Sequence, residues 1–136
     1  MPRLIYSLIC SDVIVDRDTG SASYIKVFEH GTVPRLPANV PPFFVATLWE
    51  LEPGDAAPFT VGLSLAGPDG SEEQIGRNAV APTGAALHKL NFQLPGLKVQ
   101  AEGRHELVIT LQHGNQAETA ARLPLHVFLQ QGEGEG

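Results

Sequence analysis

Three aspartates stand near the N-terminus at Asp12, Asp16 and Asp18, the last two in the pattern Asp16-x-Asp18-x-Gly20. Carboxylates so spaced resemble the start of a calcium loop, and calcium takes six to eight oxygens. No acidic residue follows at the distance that completes an EF-hand loop. An ion there would draw on distant carboxylates such as Asp55 and Asp69. The competing reading is a hairpin turn whose aspartates cap nearby backbone N–H groups, and it is favoured.

His88, His105 and His126 fall on expected strands. His88 is in phase with Leu90 and Phe92, and His105 with Leu107 and Ile109, so both are expected to face inward. Two inward histidines and a third ligand could hold zinc. The chain has no His-x-His pair and one cysteine, Cys10. The simpler expectation puts both histidines at strand starts on the rim of the core, hydrogen-bonded to backbone. Gly103-Arg104-His105 also has the form of a sandwich corner, in which a ring at the start of a late strand bonds back to upstream backbone.

Nucleophilic chemistry has thinner support. Gly62-x-Ser64-x-Ala66 nearly matches a nucleophile elbow, which needs a strand, a strained turn and a helix. Ser64 instead lies mid-strand between Leu63 and Leu65, and Gly67-Pro68 follows. Cys10 ends an apolar strand with no base beside it, as a small buried hydrophobe would. Phe43, Phe44, Trp49 and Phe59 could stack on bases. Nine Lys and Arg without a cluster, in a chain of net charge −6, give phosphate no attractive surface. The same sign opposes anionic membranes. No nucleic acid, membrane or cofactor is expected, and no enzymatic activity.

Gly, Pro, Asn and Asp punctuate short alternating runs at near-regular intervals, and no long run has a convincing helical period. That pattern predicts an all-β antiparallel β-sandwich, immunoglobulin-like or C2-like, with about 7–9 strands. Strands are expected at 3–10, 12–16, 22–29, 43–51, 59–66, 72–81, 87–94 and 105–112, with a last strand ending near Phe128. Pro34, Pro37, Pro41 and Pro42 mark a loop, since proline cannot donate to a ladder. Phe43–Leu51 is apolar on both faces, which requires cover on each side. Residues 116–122 carry a capping-box pattern, but the alternating strand before them and the Gly114-Asn115 turn favour a strand. Pro124 marks the last strand as an edge. One domain over 1–129 and a disordered Gly/Glu tail over 130–136 are expected.

Leu4 to Cys10 is too short for a signal h-region. Ile9 is bulky where lipoprotein cleavage wants a small residue. No run approaches the ~20 apolar residues of a membrane helix. A cytoplasmic location is expected.

The succession Cys10-Ser11-Asp12, Ile14-Val15-Asp16, the Gly20 turn, Ile25 to Glu29, Phe43-Phe44-Val45-Ala46, Pro68-Asp69-Gly70 and Leu123-Pro124-Leu125 resembles an uncharacterised family of short bacterial β-sandwich proteins, a domain of unknown function. The resemblance runs over about 3–128 and carries no activity, cofactor or catalytic residue. Ser11 departs from it, separating Cys10 from Asp12 and shifting strand phase there.

The resulting functional expectation is a non-catalytic binding or assembly module. It would act on a protein partner, or on a second copy as a homodimer, through loops or an edge strand. The alternative is a metal-binding domain, calcium or zinc, built from Asp12, Asp16, Asp18, His88 and His105 at one end.

Overall fold

In a computed structural model that describes residues 1–130, the alternating runs form eleven strands and no helix among the described residues. In chain order they are β1 (Arg3–Val15), β2 (Ala22–Val27), β3 (His30–Val33), β4 (Ala38–Val40), β5 (Phe43–Glu50), β6 (Phe59–Ala66), β7 (Glu72–Val80), β8 (Leu87–Leu94), β9 (Leu97–Val99), β10 (Gly103–His113) and β11 (Gln116–Leu129). One sheet has the order β2-β1-β5-β8, a second the order β3-β11-β10-β6-β7, and β4 pairs with β9 alone. The first two sheets enclose one apolar cluster in a sandwich-like arrangement. β5 gives it Phe43, Val45 and Trp49, while β6 and β10 give Leu63, Leu107 and Ile109.

The strand number exceeds the expected 7–9. Part of the excess comes from the proline-rich stretch, expected as loop throughout. Its prolines flank two short strands there, β3 and β4, rather than forbidding them. Residues 116–122 are strand. β11 is an edge only in part: Gln116–Leu125 pairs with β10 alone, but His126–Leu129 also pairs in parallel with His30–Val33. His126 N–H donates away from β10, to Glu29 O at 2.9 Å. Pro124, two residues earlier and in the same phase, therefore turns its missing donor to the open side, as proline in a sheet must. Gln130 N–H reaches Val33 O at 2.7 Å, so the first residue of the expected tail is tied down. The rest of that tail, 131–136, lies outside the described residues.

Residues 3–10 and 12–16, expected as two extended runs, form one bent strand. β1 pairs with β5 from Arg3 to Cys10, and with β2 only from Cys10 to Val15. At the changeover Ser11 has no partner in the register, and opposite it Lys26 takes φ +54°. β1 therefore leaves its sheet after Cys10 and continues with β2 as a two-stranded arm. The arm folds back over the outer face of that sheet. The Tyr6 and Tyr24 hydroxyls meet at 2.6 Å, and Lys89 Nζ on β8 donates to Gly20 O at the arm's tip at 2.7 Å. This arm is the second cover that the doubly apolar β5 required. Beneath it Cys10 and Ala46 are fully buried, while Phe44 and Leu48 are half-buried.

One buried polar relay fixes β5 against β8. Trp49 Nε1–H donates to Thr47 Oγ1 at 2.9 Å, and the Thr47 hydroxyl donates to Leu90 O at 2.6 Å. Trp49 and Thr47 are both fully buried, where an unpaired donor is costly. Thr47→Val keeps the shape and strands the indole N–H. It is expected to cost about 1–3 kcal/mol in urea unfolding, with Thr47→Ser losing less. Equal losses would mean that the hydroxyl contributes nothing.

Candidate functional site

The residues with chemical potential separate along the sandwich. His88 faces Trp49 across β8 and β5, and the Trp49 ring contacts Phe59 at the start of β6. His105 belongs to the other end of β6, because its neighbour Glu106 pairs with Ala66. The two histidines thus stand at opposite ends of the two sheets and cannot share an ion. An Asp/His site at one end would therefore draw on one of the two alone. Among the described residues no group of three or more His, Cys, Asp or Glu is placed to hold a metal.

The aspartates of the first hairpin serve the backbone. Asp16 Oδ1 accepts the N–H groups of Asp18 at 2.8 Å and Thr19 at 3.0 Å, and Gly20 N–H closes on Asp16 O at 2.8 Å. Those bonds, that from Thr19 first, hold the Asp16 carboxyl below the usual carboxylate range. Asp12 Oδ1 accepts from Val13 N–H. Asp55 accepts the terminal amine of Met1 and the N–H of Glu52. Ser64 lies within β6. Burial pushes the Cys10 thiol up, away from the thiolate that nucleophilic chemistry needs.

The end built around His105 is different. Gly67-Pro68-Asp69-Gly70 turns β6 into β7 with Gly70 at φ +87°, as a tight turn requires. Asp69 Oδ1 accepts both the hydroxyl of Ser71, at 2.6 Å, and its backbone N–H, at 3.0 Å. Opposite the turn, the segment from β9 into β10 brings Lys98 and Gln100. Between them lies a cavity of about 350 Å³ lined by Leu65, Asp69, Ser71, Lys98, Gln100 and His105. Its wall combines an ammonium, an amide, a carboxylate and an apolar surface. A second hollow of about 290 Å³ lies on the other side of Pro68. There Glu106 is held between Arg104, at 3.1 Å, and Arg122, at 3.2 Å. Those guanidiniums, that of Arg104 first, keep the Glu106 carboxyl low.

His105 is buried, and its Nδ1 donates to Gly103 O at 3.2 Å. That is the corner expected for Gly103-Arg104-His105. Gly103 has φ +124°, and a Cβ there would come within 3.3 Å of the Pro68 ring. Strand β10 thus starts in close contact with the turn that walls the cavity. The sequence pointed to His105 and to the turn separately. Lys98 and Gln100 were missed, because only the fold brings β9 alongside that turn.

Asp69 titrates low, first because of the Ser71 hydroxyl and then its N–H, with the charge of His105 adding to them. A depressed carboxyl contributes stability that is present above its ordinary value of about 3.9 and is lost as pH falls through the lowered one. Ser71→Ala is expected to raise the Asp69 midpoint toward the ordinary value in a carboxyl-detected NMR titration. An unmoved midpoint would assign the depression to the backbone and His105 alone.

A family model described as "Family of unknown function (DUF6941)" matches residues 5–128. No curated protein matches the chain. Among solved structures, a β-glucosidase from Listeria innocua in complex with glucose is similar at a TM-score of 0.53 and 11% identity, over 96% of this chain and 16% of that one. This chain therefore spans about a sixth of that enzyme's length, and the likeness concerns the fold alone.

Proposed function

The chain belongs to the family of unknown function DUF6941, and on that premise we propose that it is a non-catalytic binding module that uses the loop end around His105. Its scaffold is immunoglobulin-like in this reading. β1, β5 and β8 take the positions of strands A, B and E, while β11, β10, β6 and β7 take those of G, F, C and C′. On that scaffold the ends of the strands present loops held by a rigid core, which is where sandwich proteins carry recognition.

The observation that carries the proposal is the cavity of about 350 Å³ between the Gly67–Ser71 turn and the Lys98–Ala101 segment. Ligand pockets are concave and mostly apolar, with a few fixed polar groups. Here Leu65 and Val99 supply apolar wall, while Asp69 and Lys98 supply opposite charges. Ser71 and the corner at His105 hold the wall in place. The groups suit a partner side chain or small molecule with an apolar body and a polar end. The Ser71 hydroxyl donates to Asp69, and His105 Nδ1 to the Gly103 carbonyl.

The test is a fragment and short-peptide screen read by amide NMR. Binders are expected to shift Asp69, Ser71, Lys98, Gln100 and His105 together, and Lys98→Glu to abolish the shifts of acidic binders. A screen without hits, or with hits mapping to other surfaces, would overturn the reading.

A further inference from the structure

The arm formed by the second half of β1 and by β2 is lightly anchored to the rest of the sandwich. Among the described residues it pairs with nothing but itself, since β2 has β1 as its one partner strand. A two-stranded ribbon is marginal on its own. Two hydrogen bonds carry it across the sheet, Tyr6 to Tyr24 and Lys89 to Gly20. The second of these is exposed. Both strands change conformation at one level, where Ser11 is unpaired in the register and Lys26 sits at φ +54°. A non-glycine residue in that region is held there by its surroundings. Such a level is a hinge.

The face under the arm is not fully satisfied. Asn91, on β8 beside Ala46, buries its Oδ1 without a hydrogen-bond partner among the described residues. The opposite surface of the arm is unsatisfied in another sense. There Ile14 is 53% exposed and Ile25 38%; Val15, on the face of Tyr24 at the tip, is 56% exposed, and Val27, at the hinge, 55%. Four exposed aliphatic side chains on one short ribbon, spread over both its faces, are more than the scattered single residues of an ordinary surface. Lys26, the kinked edge residue, opposes simple edge-to-edge pairing through β2. It leaves the arm free to move as a unit.

We propose that the arm is exchangeable: two copies of this chain open at the Ser11/Lys26 hinge and each lays its arm on the outer face of the other's β1-β5-β8 sheet. The occupant of that face is known from the closed chain, because it is the arm itself. A second copy supplies the same Tyr24 for Tyr6 and the same Gly20 carbonyl for Lys89. Such exchange needs no new complementarity. What it adds is proximity of two arms and of the Ile14 and Ile25 that each exposes. The exchange is independent of the cavity at His105, which lies at the end of the sandwich rather than on this face.

Two experiments test it. In the wild-type chain, opening uncovers Cys10, which is 0% exposed in the closed form. Its reaction with a disulfide reagent is expected to run faster than global unfolding. Tyr24→Phe is expected to accelerate it about fivefold, the factor corresponding to one hydrogen bond of about 1 kcal/mol. A thiol that reacts only at the global unfolding rate overturns the hinge. For exchange, Cys10→Ala chains carrying either Asp18→Cys or Lys89→Cys are mixed at millimolar concentration and treated with a short bis-maleimide. Tip and rim then cross-link only between copies. Heterodimers in clear excess over either homodimer, with a doubled mass for wild type by light scattering at the same concentration, support exchange. A wild-type chain that stays monomeric, or cross-linking without preference for the mixed pair, overturns it.

Discussion

Everything in this sandwich is arranged around an indole that has been taken entirely out of water. Trp49 brings a large apolar body near the end of β5, and with it one N–H that must be paired. Thr47 supplies the acceptor from the same strand and passes its own proton to the Leu90 carbonyl on β8. That relay locks the relative height of β5 and β8, and a one-residue slip would break it while moving every side chain to the wrong face. With β5 fixed, β1 on one side and β8 on the other have only one register available. The inner cluster and the outer face under the arm follow from that single alignment.

The two faces of β5 are treated differently. The inner face meets the second sheet and is closed, with Phe43, Val45 and Trp49 packed against β6 and β10. The outer face meets a ribbon too narrow to close it, so Phe44 and Leu48 stay half-buried. The fold has therefore two layers of unequal quality. The tight layer sets the shape, and at one end it positions the turn, the Lys98 segment and the His105 corner. The loose layer keeps apolar surface covered while leaving it accessible to rearrangement.

The legible part of this architecture was the part with local causes. Alternation revealed the long strands, Asp16 and Gly20 the first turn, Gly67 to Gly70 the β6–β7 turn, and Gly103-Arg104-His105 the corner. Each of these depends on residues within a few positions of one another. The doubly apolar pattern of 43–51 announced that a second cover existed without naming it. What stayed hidden depends on distant pairing. No feature of Pro34 to Pro42 announces β3 or β4, because their partners are Leu129 and Val99, far along the chain. Nor did phase alone separate His88 from His105, since inward-facing says nothing about which end of a strand. Ser11 did signal a change of phase, and the structure turns that signal into a bend.

The parallel pairing of β3 with β11 has a mechanical meaning. His30–Val33 runs alongside His126–Leu129 in the same direction, joining an early segment to the last strand. Traction on the chain before β3 and after β11 would pull these two strands in opposite senses along their common axis. Their hydrogen bonds would then bear the load together, as a lap joint does, instead of opening one by one as a zipper. Resistance of that kind is governed by the height of the unfolding barrier rather than by equilibrium stability. A clamp of four register pairs thus ties the segment that follows the arm to the last strand of the fold.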